Sequence, residues 1–105
     1  MIDAAPSIFN EISKLENSGE SAALCVIIQT QGAVPRRAGA KMLVYEDGRF
    51  IGTVGGGELE NRVRAEAKGA LADGRPRKMS YSMVEPIRGD PGVCGGTAEV
   101  YIEPI

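Results

Sequence analysis

The sequence predicts a single compact α/β or α+β domain in which one mixed β-sheet is flanked by two helices. Three observations support this prediction. The chain has 105 residues, which is enough for one modest hydrophobic core. Two segments place apolar residues at helical spacing. Several shorter segments are either continuously apolar or alternate apolar and polar residues, as strands do. The predicted order is α-β-β-β-α-β-β, in one domain that covers residues 1–105.

The first two elements follow from apolar spacing. Ile8, Ile12 and Leu15 recur at helical intervals, and a Ser-Gly pair at residues 18 and 19 ends the predicted helix. The next segment, Ala22 to Ile28, is an unbroken apolar run rich in β-branched residues. Such a run predicts a strand that is covered on both faces.

The later elements follow from turn signals and periodicity. Strands are predicted over Ala40 to Tyr45 and Phe50 to Val54, and the Asp-Gly pair between them is typical of a hairpin turn. A helix is predicted from Glu58 to Asp73, where the following glycine ends it. An alternating apolar strand around Tyr81, a loop from residue 85 to 96 and a last strand from 97 to 102 complete the order.

Composition excludes several classes of function. The chain contains no His, so catalysis by a Ser–His–Asp or Cys–His arrangement within this chain is excluded. Its two cysteines cannot form a zinc site by themselves, and no metal site is predicted. The net charge of −2 and the 5% aromatic content predict that it binds neither nucleic acid nor a membrane. We expect a cytoplasmic protein with reduced thiols, because no leader pattern or membrane-length apolar stretch is evident.

Glycine marks the segments where a ligand is most readily accommodated. Of the 14 glycines, 11 fall between residues 32 and 57 or between residues 89 and 96, and three loops stand out: 32–39, 52–57 and 89–96. The second loop joins a strand to a helix, where free backbone amides form a natural anion site. A tight turn whose own acidic residues, Glu58 and Glu60, compensate the helix dipole explains the pattern equally well.

Two side chains in the other loops are candidates for chemistry. The guanidinium of Arg36 suits a phosphate or a planar heterocycle, although most surface arginines bind neither. Cys94 lies in a predicted glycine-rich turn, where neighbouring amides would favour a thiolate for sulfur transfer, metal ligation or redox chemistry. A small apolar residue tucked under a turn is an equal alternative for Cys94. Cys25, within an apolar strand, is predicted to be a core residue.

Taken together, the three loops resemble segments of the xanthine dehydrogenase accessory factor family, XdhC/CoxI. Residues 32–44 resemble G-x-x-P-R-x-x-G-A-x-M-x-V, and residues 52–60 resemble G-[ST]-[VI]-G-G-G-x-[LV]-E. Residues 93–96, with the closing strand at 99–104, are similar to the V-C-G-G segment of that family. Each segment is modest alone, but three in the same order, spanning Ala22 to Pro104, make the resemblance specific.

The resemblance implies a maturation factor for a molybdenum hydroxylase of the xanthine or carbon monoxide dehydrogenase type. Its cargo would be the molybdenum cofactor, as molybdopterin or its dinucleotide form, which family members bind, protect during sulfuration and deliver. The implied binding positions are Arg36, Gly55, Gly56, Gly57, Glu60, Cys94, Gly95 and Gly96. Arg36 would hold phosphate or pterin, and the three glycines would offer amides to an anionic group. Glu60 would orient a neighbouring loop or a ligand, and Cys94, the candidate catalytic residue, would contact molybdenum or its sulfur.

The resemblance also implies partners. Full-length family members carry a second, nucleotide-binding-like domain, which the single predicted domain lacks. The partners that the resemblance implies are the apo-hydroxylase, a cysteine desulfurase and a separate chain that carries the second domain. A second copy of this chain is expected on other grounds, because a chain of 105 residues with continuous apolar strands favours association that covers a sheet edge or face. A non-catalytic cofactor chaperone is the favoured interpretation. The alternatives are a Cys94-dependent sulfur-transfer or redox protein and a cofactor-free module that recruits the apo-enzyme.

Overall fold

The computed structural model describes residues 5–32, 38–84 and 94–105. In these ranges the chain forms two helices and five strands, in the predicted order: α1 (Ala5–Ser18), β1 (Ala22–Gln31), β2 (Lys41–Tyr45), β3 (Phe50–Gly52), α2 (Gly57–Asp73), β4 (Arg77–Val84) and β5 (Cys94–Pro104). The prediction of one sheet flanked by two helices is confirmed. Over the same ranges, no helix is both long and apolar enough to cross a membrane.

The five strands form one sheet in the order β3-β2-β1-β5-β4, and all four neighbouring pairs are antiparallel. The mixture of strand directions that the sequence predicts is therefore not observed. β3 and β4, which flank α2, do run in the same direction. They cannot pair, however, because α2 carries the chain from one edge of the sheet to the other.

Helix α2 covers one face of the sheet and forms the main core with it. Alternate side chains of β1, β2 and β5 point towards α2, because successive residues of a strand face opposite sides. The fully buried Cys25 lies in the middle of this layer, as predicted. The core residues that α2 supplies are Leu59, Val63, Ala67 and Ala70, and those facing them from the sheet include Ala23, Ile27, Met42, Val44, Ala98, Val100 and Ile102.

Helix α1 covers only part of the other face. Ile8 and Leu15 are buried on the side of α1 that packs against β2 and β3. Beyond them, Ile28 of β1 is 46% exposed and Tyr101 of β5 is 36% exposed. The prediction that the first strand is covered on both faces is therefore correct on the α2 side and wrong at Ile28, since α1 does not extend over this part of the sheet.

Two strands are longer than the sequence predicts. β1 continues to Gln31, and β5 begins at Cys94 instead of Thr97. Cys94, Gly95 and Gly96 were therefore wrongly predicted to lie in a loop. The Cα atoms of Cys94 and Val84 are partners across β5 and β4. Pairing of this kind overrides the low strand propensity of glycine, because the sheet supplies the hydrogen bonds.

A side-chain hydrogen bond connects α1 to β2 and so attaches this helix to the sheet. The hydroxyl of Tyr45, a buried residue, donates to Oε1 of Glu11 at 2.8 Å. Burial, followed by this hydrogen bond, raises the pKa of Tyr45 to about 12. The same hydrogen bond lowers the pKa of Glu11 from its usual range. The fold therefore stabilises the neutral phenol of Tyr45 and the ionised carboxylate of Glu11.

We expect Tyr45→Phe to flatten the loss of stability at alkaline pH. A tyrosine in the unfolded chain ionises near pH 10, whereas the folded value is about 12. The contribution of Tyr45 is therefore complete below about pH 10 and disappears as the pH rises through the folded pKa. Urea unfolding at a series of pH values measures this dependence. A variant whose alkaline slope equals that of the wild type would contradict the assignment.

Candidate functional site

The antiparallel sheet brings the described residues of the three glycine-rich segments to one end. β3 ends at Gly52, next to the beginning of β2, because Gly52 is the Cα partner of Met42. β1 ends beside the beginning of β5, where Gln31 is the partner of Thr97. The described residues that flank all three segments therefore lie at the same end of the sheet, which we call the glycine-rich end. α2 also begins there.

Gly52 fixes the point at which the chain leaves the sheet. Its φ of 82° is in the left-handed region, and a Cβ atom here would lie 2.5 Å from the carbonyl oxygen of Lys41 and 2.8 Å from Cδ1 of Ile8. Only glycine fits this conformation and this space without strain. The next residue, Thr53, donates its backbone N–H to the Lys41 oxygen at 3.1 Å. The start of the loop is thereby attached to β2.

Thr53 and Glu60 hold the loop by their side chains. The Thr53 hydroxyl donates to Oε1 of Glu60 at 2.6 Å and accepts the backbone N–H of Gly55 at 2.9 Å. The N–H of Gly56 donates to the same Glu60 oxygen at 3.0 Å. Thr53 near the start of the loop and Glu60 in the first turn of α2 therefore satisfy two successive amides of the loop, those of Gly55 and Gly56.

The triple glycine adopts a conformation that other residues rarely reach. Gly55, Gly56 and Gly57 all have positive φ, at 127°, 80° and 64°. A Cβ added to Gly56 or to Gly57 would meet nothing within 4 Å, so open space adjoins the loop. No side chain caps the N-terminus of α2 at Gly56. The Glu60 amide donates to the carbonyl oxygen of Gly56 at 3.4 Å, whereas the amides of Gly57, Glu58 and Leu59 donate to no acceptor among the described residues.

The described charges at this end have both signs. The ammonium group of Lys41 donates a hydrogen bond to the carbonyl oxygen of Gly39 at 2.9 Å, and its Nζ lies 5.8 Å from the centre of the Phe9 ring. Glu58 is exposed in the first turn of α2, and Glu60 is half-buried. The positive end of the helix dipole adds to Lys41 and opposes the two carboxylates. The end of the sheet is therefore polar without being strongly basic.

The other predicted site residues are placed only in part. Cys94, Gly95 and Gly96 open β5 at the glycine-rich end, and Gly96 is buried. Arg36 lies outside the described residues. Among the predicted positions, Gly56 donates directly to Glu60, Gly55 is linked to Glu60 through the Thr53 hydroxyl, and Gly57 begins α2 beside them. Thr53 joins them without having been predicted, although a threonine two residues before Gly55 is a recognisable side-chain-to-backbone turn signal.

Within the described ranges, no group of three or more Cys, Asp or Glu residues is placed to hold a metal ion. A surface cavity of about 420 Å³ is lined by Ile12, Leu15, Glu20 and Ile105, among others. It lies where β5 ends and therefore at the opposite end of the sheet.

Comparison with known proteins identifies the class of protein that has this fold and these loops. Residues 15–82 match the XdhC and CoxI family. The chain belongs to this family, which confirms the resemblance seen in the sequence. In a solved structure of a xanthine dehydrogenase from Bacillus halodurans, the matching fold has a TM-score of 0.74 and 28% identity, covering 90% of this chain and 29% of that chain.

Two proteins of Escherichia coli K12 are similar in sequence. The chain is 36% identical over 100 residues to the uncharacterized protein YqeB, a match that covers 91% of this chain and 18% of YqeB. It is 37% identical over 79 residues to the molybdenum cofactor insertion chaperone PaoD, covering 75% of this chain and 25% of PaoD. The chain thus spans a quarter or less of the length of these relatives.

We expect Gly52→Ala to destabilise the protein by about 2–4 kcal/mol, through a strained φ together with a clash against backbone. Gly19→Ala is the matched control, because Gly19 has a φ of 75° and open space around it. The control should cost only about 1–2 kcal/mol, the penalty of the left-handed conformation alone. Urea unfolding of both variants measures the difference. Equal losses would show that the contact with Lys41 and Ile8 is unimportant.

We expect Cys25 to resist alkylation in the folded protein. The residue is fully buried, and burial raises its pKa to about 12, so the thiolate is scarce near neutral pH. Treatment with iodoacetamide at about pH 8, followed by peptide mass spectrometry, should find Cys25 unmodified until urea is added. Labelling of Cys25 at the same rate with and without urea would contradict this expectation.

Proposed function

We propose that this chain binds the molybdenum cofactor at the glycine-rich end of its sheet and supports its insertion into a molybdenum hydroxylase. Membership of the XdhC and CoxI family and similarity to the insertion chaperone PaoD support the cofactor and the process. The cofactor is the cargo of this protein. The apo-hydroxylase that receives it is the proposed partner.

The observation that carries the proposal is the ordered loop before α2. Its side-chain contacts fix the loop, while the amides of Gly57, Glu58 and Leu59 have no acceptor in the described part of the chain. Amides at the positive end of a helix bind phosphate oxygens well. The phosphate group of a pterin cofactor is therefore the part of the cargo that this loop would hold.

The remaining positions have proposed roles at the same end. Arg36 would contact phosphate or pterin, because a guanidinium can bind either in a planar geometry. Cys94, which opens β5, would face the molybdenum or its sulfur, with Gly95 and Gly96 allowing close approach. Gly55, Gly56 and Glu60 would keep the loop in shape. These roles come from the family resemblance, and the role of Arg36 rests on it alone, because Arg36 lies outside the described residues.

Binding and delivery, without catalysis, are the proposed activity. The sequence contains no His to act as a general base. Cys94 is the residue on which sulfur transfer or redox chemistry would depend, and this alternative predicts turnover with a sulfur donor. A cysteine desulfurase, a separate chain carrying the second family domain and a second copy of this chain are further proposed partners. A cytoplasmic location is also proposed.

The direct test is retention of the cofactor. The purified chain is incubated anaerobically with molybdenum cofactor released from a donor enzyme, separated by gel filtration and oxidised, and pterin fluorescence is read. We expect about one pterin per chain in the wild type, and at least a tenfold loss of affinity in Arg36→Ala and Cys94→Ala, as removal of a charge-assisted contact or a metal ligand implies. Arg75→Ala, which removes an exposed arginine at the far end of α2, is the matched control.

The outcomes separate the candidate functions. Absence of pterin from folded wild-type protein would overturn cofactor binding. Specific capture of the apo-hydroxylase by the same preparation would then favour the interaction module. Sulfur transfer that is lost in Cys94→Ala would favour the enzymatic alternative. Equal loss of pterin in the Arg75→Ala control would show that general charge, and not the proposed site, holds the cofactor.

A further inference from the structure

The contact between Thr53 and Glu60 suggests how the glycine-rich loop is prepared for a ligand. We infer that Thr53 and Glu60 are positioning residues, which fix the loop for the cargo without touching the cargo themselves. This inference rests on the proposed function and gives Thr53 a role that the sequence did not reveal. It also decides between the two roles, orienting a loop or orienting a ligand, that the family resemblance implies for Glu60.

The hydrogen bonds among Thr53, Gly55, Gly56 and Glu60 form a circuit, which is closed by the peptide bond between the two glycines. The Gly55 amide donates to the Thr53 hydroxyl, which in turn donates to Oε1 of Glu60. The Gly56 amide donates to the same oxygen. A threonine hydroxyl can donate one hydrogen bond and accept others, so every group in this circuit is used in its ordinary role. Oε1 of Glu60 is therefore engaged by the protein itself.

This arrangement limits which amides a ligand can use. An anion could reach the amides of Gly55 and Gly56 only by displacing the Thr53 hydroxyl and the Glu60 carboxylate. The Gly57 amide, by contrast, begins α2 and has no acceptor among the described residues. The circuit thus makes the Gly55 and Gly56 amides unavailable to a ligand, and it fixes the direction in which the Gly57 amide points.

The circuit is needed because the loop is intrinsically flexible. Three consecutive glycines have more conformational freedom in the unfolded or unlocked state than any other triplet, and all three are held here at positive φ. A hydroxyl-to-carboxylate hydrogen bond of 2.6 Å is of the strong, charge-assisted kind. Fixing the loop before binding reduces the entropy that the ligand must otherwise overcome.

A contact role and a positioning role for Glu60 predict different effects of charge. If Glu60 binds the cargo through its negative charge, Glu60→Gln should lose the cargo as fully as Glu60→Ala does. If Glu60 acts through the loop, the amide oxygen of Gln can still accept from Thr53 and Gly56, and binding survives. Thr53 provides an independent comparison, because Thr53→Ser keeps the hydroxyl and Thr53→Val removes it at nearly constant shape.

The experiment measures pterin affinity and loop order in the same set of variants of the full chain. The probe is molybdenum cofactor released from a donor enzyme, titrated anaerobically. Thr53→Val and Glu60→Ala should each weaken binding about tenfold, the scale of one lost hydrogen bond of this kind. Thr53→Ser and Glu60→Gln should stay within about threefold of the wild type, and the Thr53→Val/Glu60→Ala double variant should be no weaker than the weaker single one. Glu58→Gln, a neighbouring exposed carboxylate, is the control for charge.

Amide exchange provides a measurement without cargo. In nitrogen-15 NMR spectra, the Gly55 and Gly56 amides should exchange with water faster in Thr53→Val and Glu60→Ala than in the wild type, and at the wild-type rate in Glu60→Gln. Global stability from urea unfolding shows whether a variant has lost the fold instead of the loop order. If either Thr53→Val or Glu60→Ala has lost the fold, the other disruptive variant carries the comparison.

Two results would overturn the inference. The first is loss of cargo in Glu60→Gln equal to that in Glu60→Ala, which would make Glu60 a direct ligand. The second is wild-type binding in Thr53→Val, which would make the circuit irrelevant to the cargo. Failure of the proposed function is distinguishable, because the wild type would then bind no pterin while the exchange rates still follow the pattern above.

Discussion

The antiparallel pairing of β1 on both sides is the constraint on which the rest of the structure depends. β1 is the middle strand, and it pairs with β2 over five residues and with β5 along most of its length. Because both neighbours run against it, the end of β1 meets the beginnings of β2 and β5. The described residues of the three glycine-rich segments, which are distant in sequence, are brought to one end of the sheet by this single arrangement. The core under α2 then holds the sheet in place.

The site depends on how the chain leaves β3. Gly52 packs its backbone so closely against Lys41 that no side chain is tolerated, and Thr53 follows with a hydrogen bond to the same carbonyl. The hydroxyl of Thr53 is thereby placed to meet Glu60 from the first turn of α2. The close packing at Gly52 therefore helps to fix the positions of the Gly55 and Gly56 amides in the loop. The proposed cofactor site uses the backbone amides at the start of α2 that have no acceptor among the described residues.

Much of the fold follows from local pattern, and the differences have physical causes. Helical spacing and an apolar run sufficed for α1, α2 and β1, and the Asp-Gly pair sufficed for the hairpin, where Gly48 donates to the carbonyl of Tyr45 at 2.9 Å. The strand directions were not predictable, because they depend on α2 crossing the whole sheet. The beginning of β5 was missed because glycine-rich sequence suggests a turn, while pairing with β4 makes a strand there.

The sequence was sufficient to predict which loops form the candidate site, but not which side chains meet within it. Glycine content pointed to the segment that contains Gly55, and the family resemblance pointed to Glu60. Neither could show that Thr53 and Glu60 meet, because that contact depends on the angle between β3 and α2. Helix-dipole compensation, the alternative reading of Glu60 in the sequence, is compatible with the observed contact, since one carboxylate can serve both the dipole and the loop.

The length of β5 has a practical consequence for attaching reporters. The strand runs from Cys94 to Pro104, 11 residues that separate the glycine-rich end from the end bearing the exposed Ile105. At about 3.3 Å per residue, these two ends lie roughly 35 Å apart. A dye or affinity handle joined at Ile105 would therefore remain far from anything held between the loops. The dye would nevertheless be close enough to report arrival of the cargo by energy transfer, and far enough away to avoid steric interference.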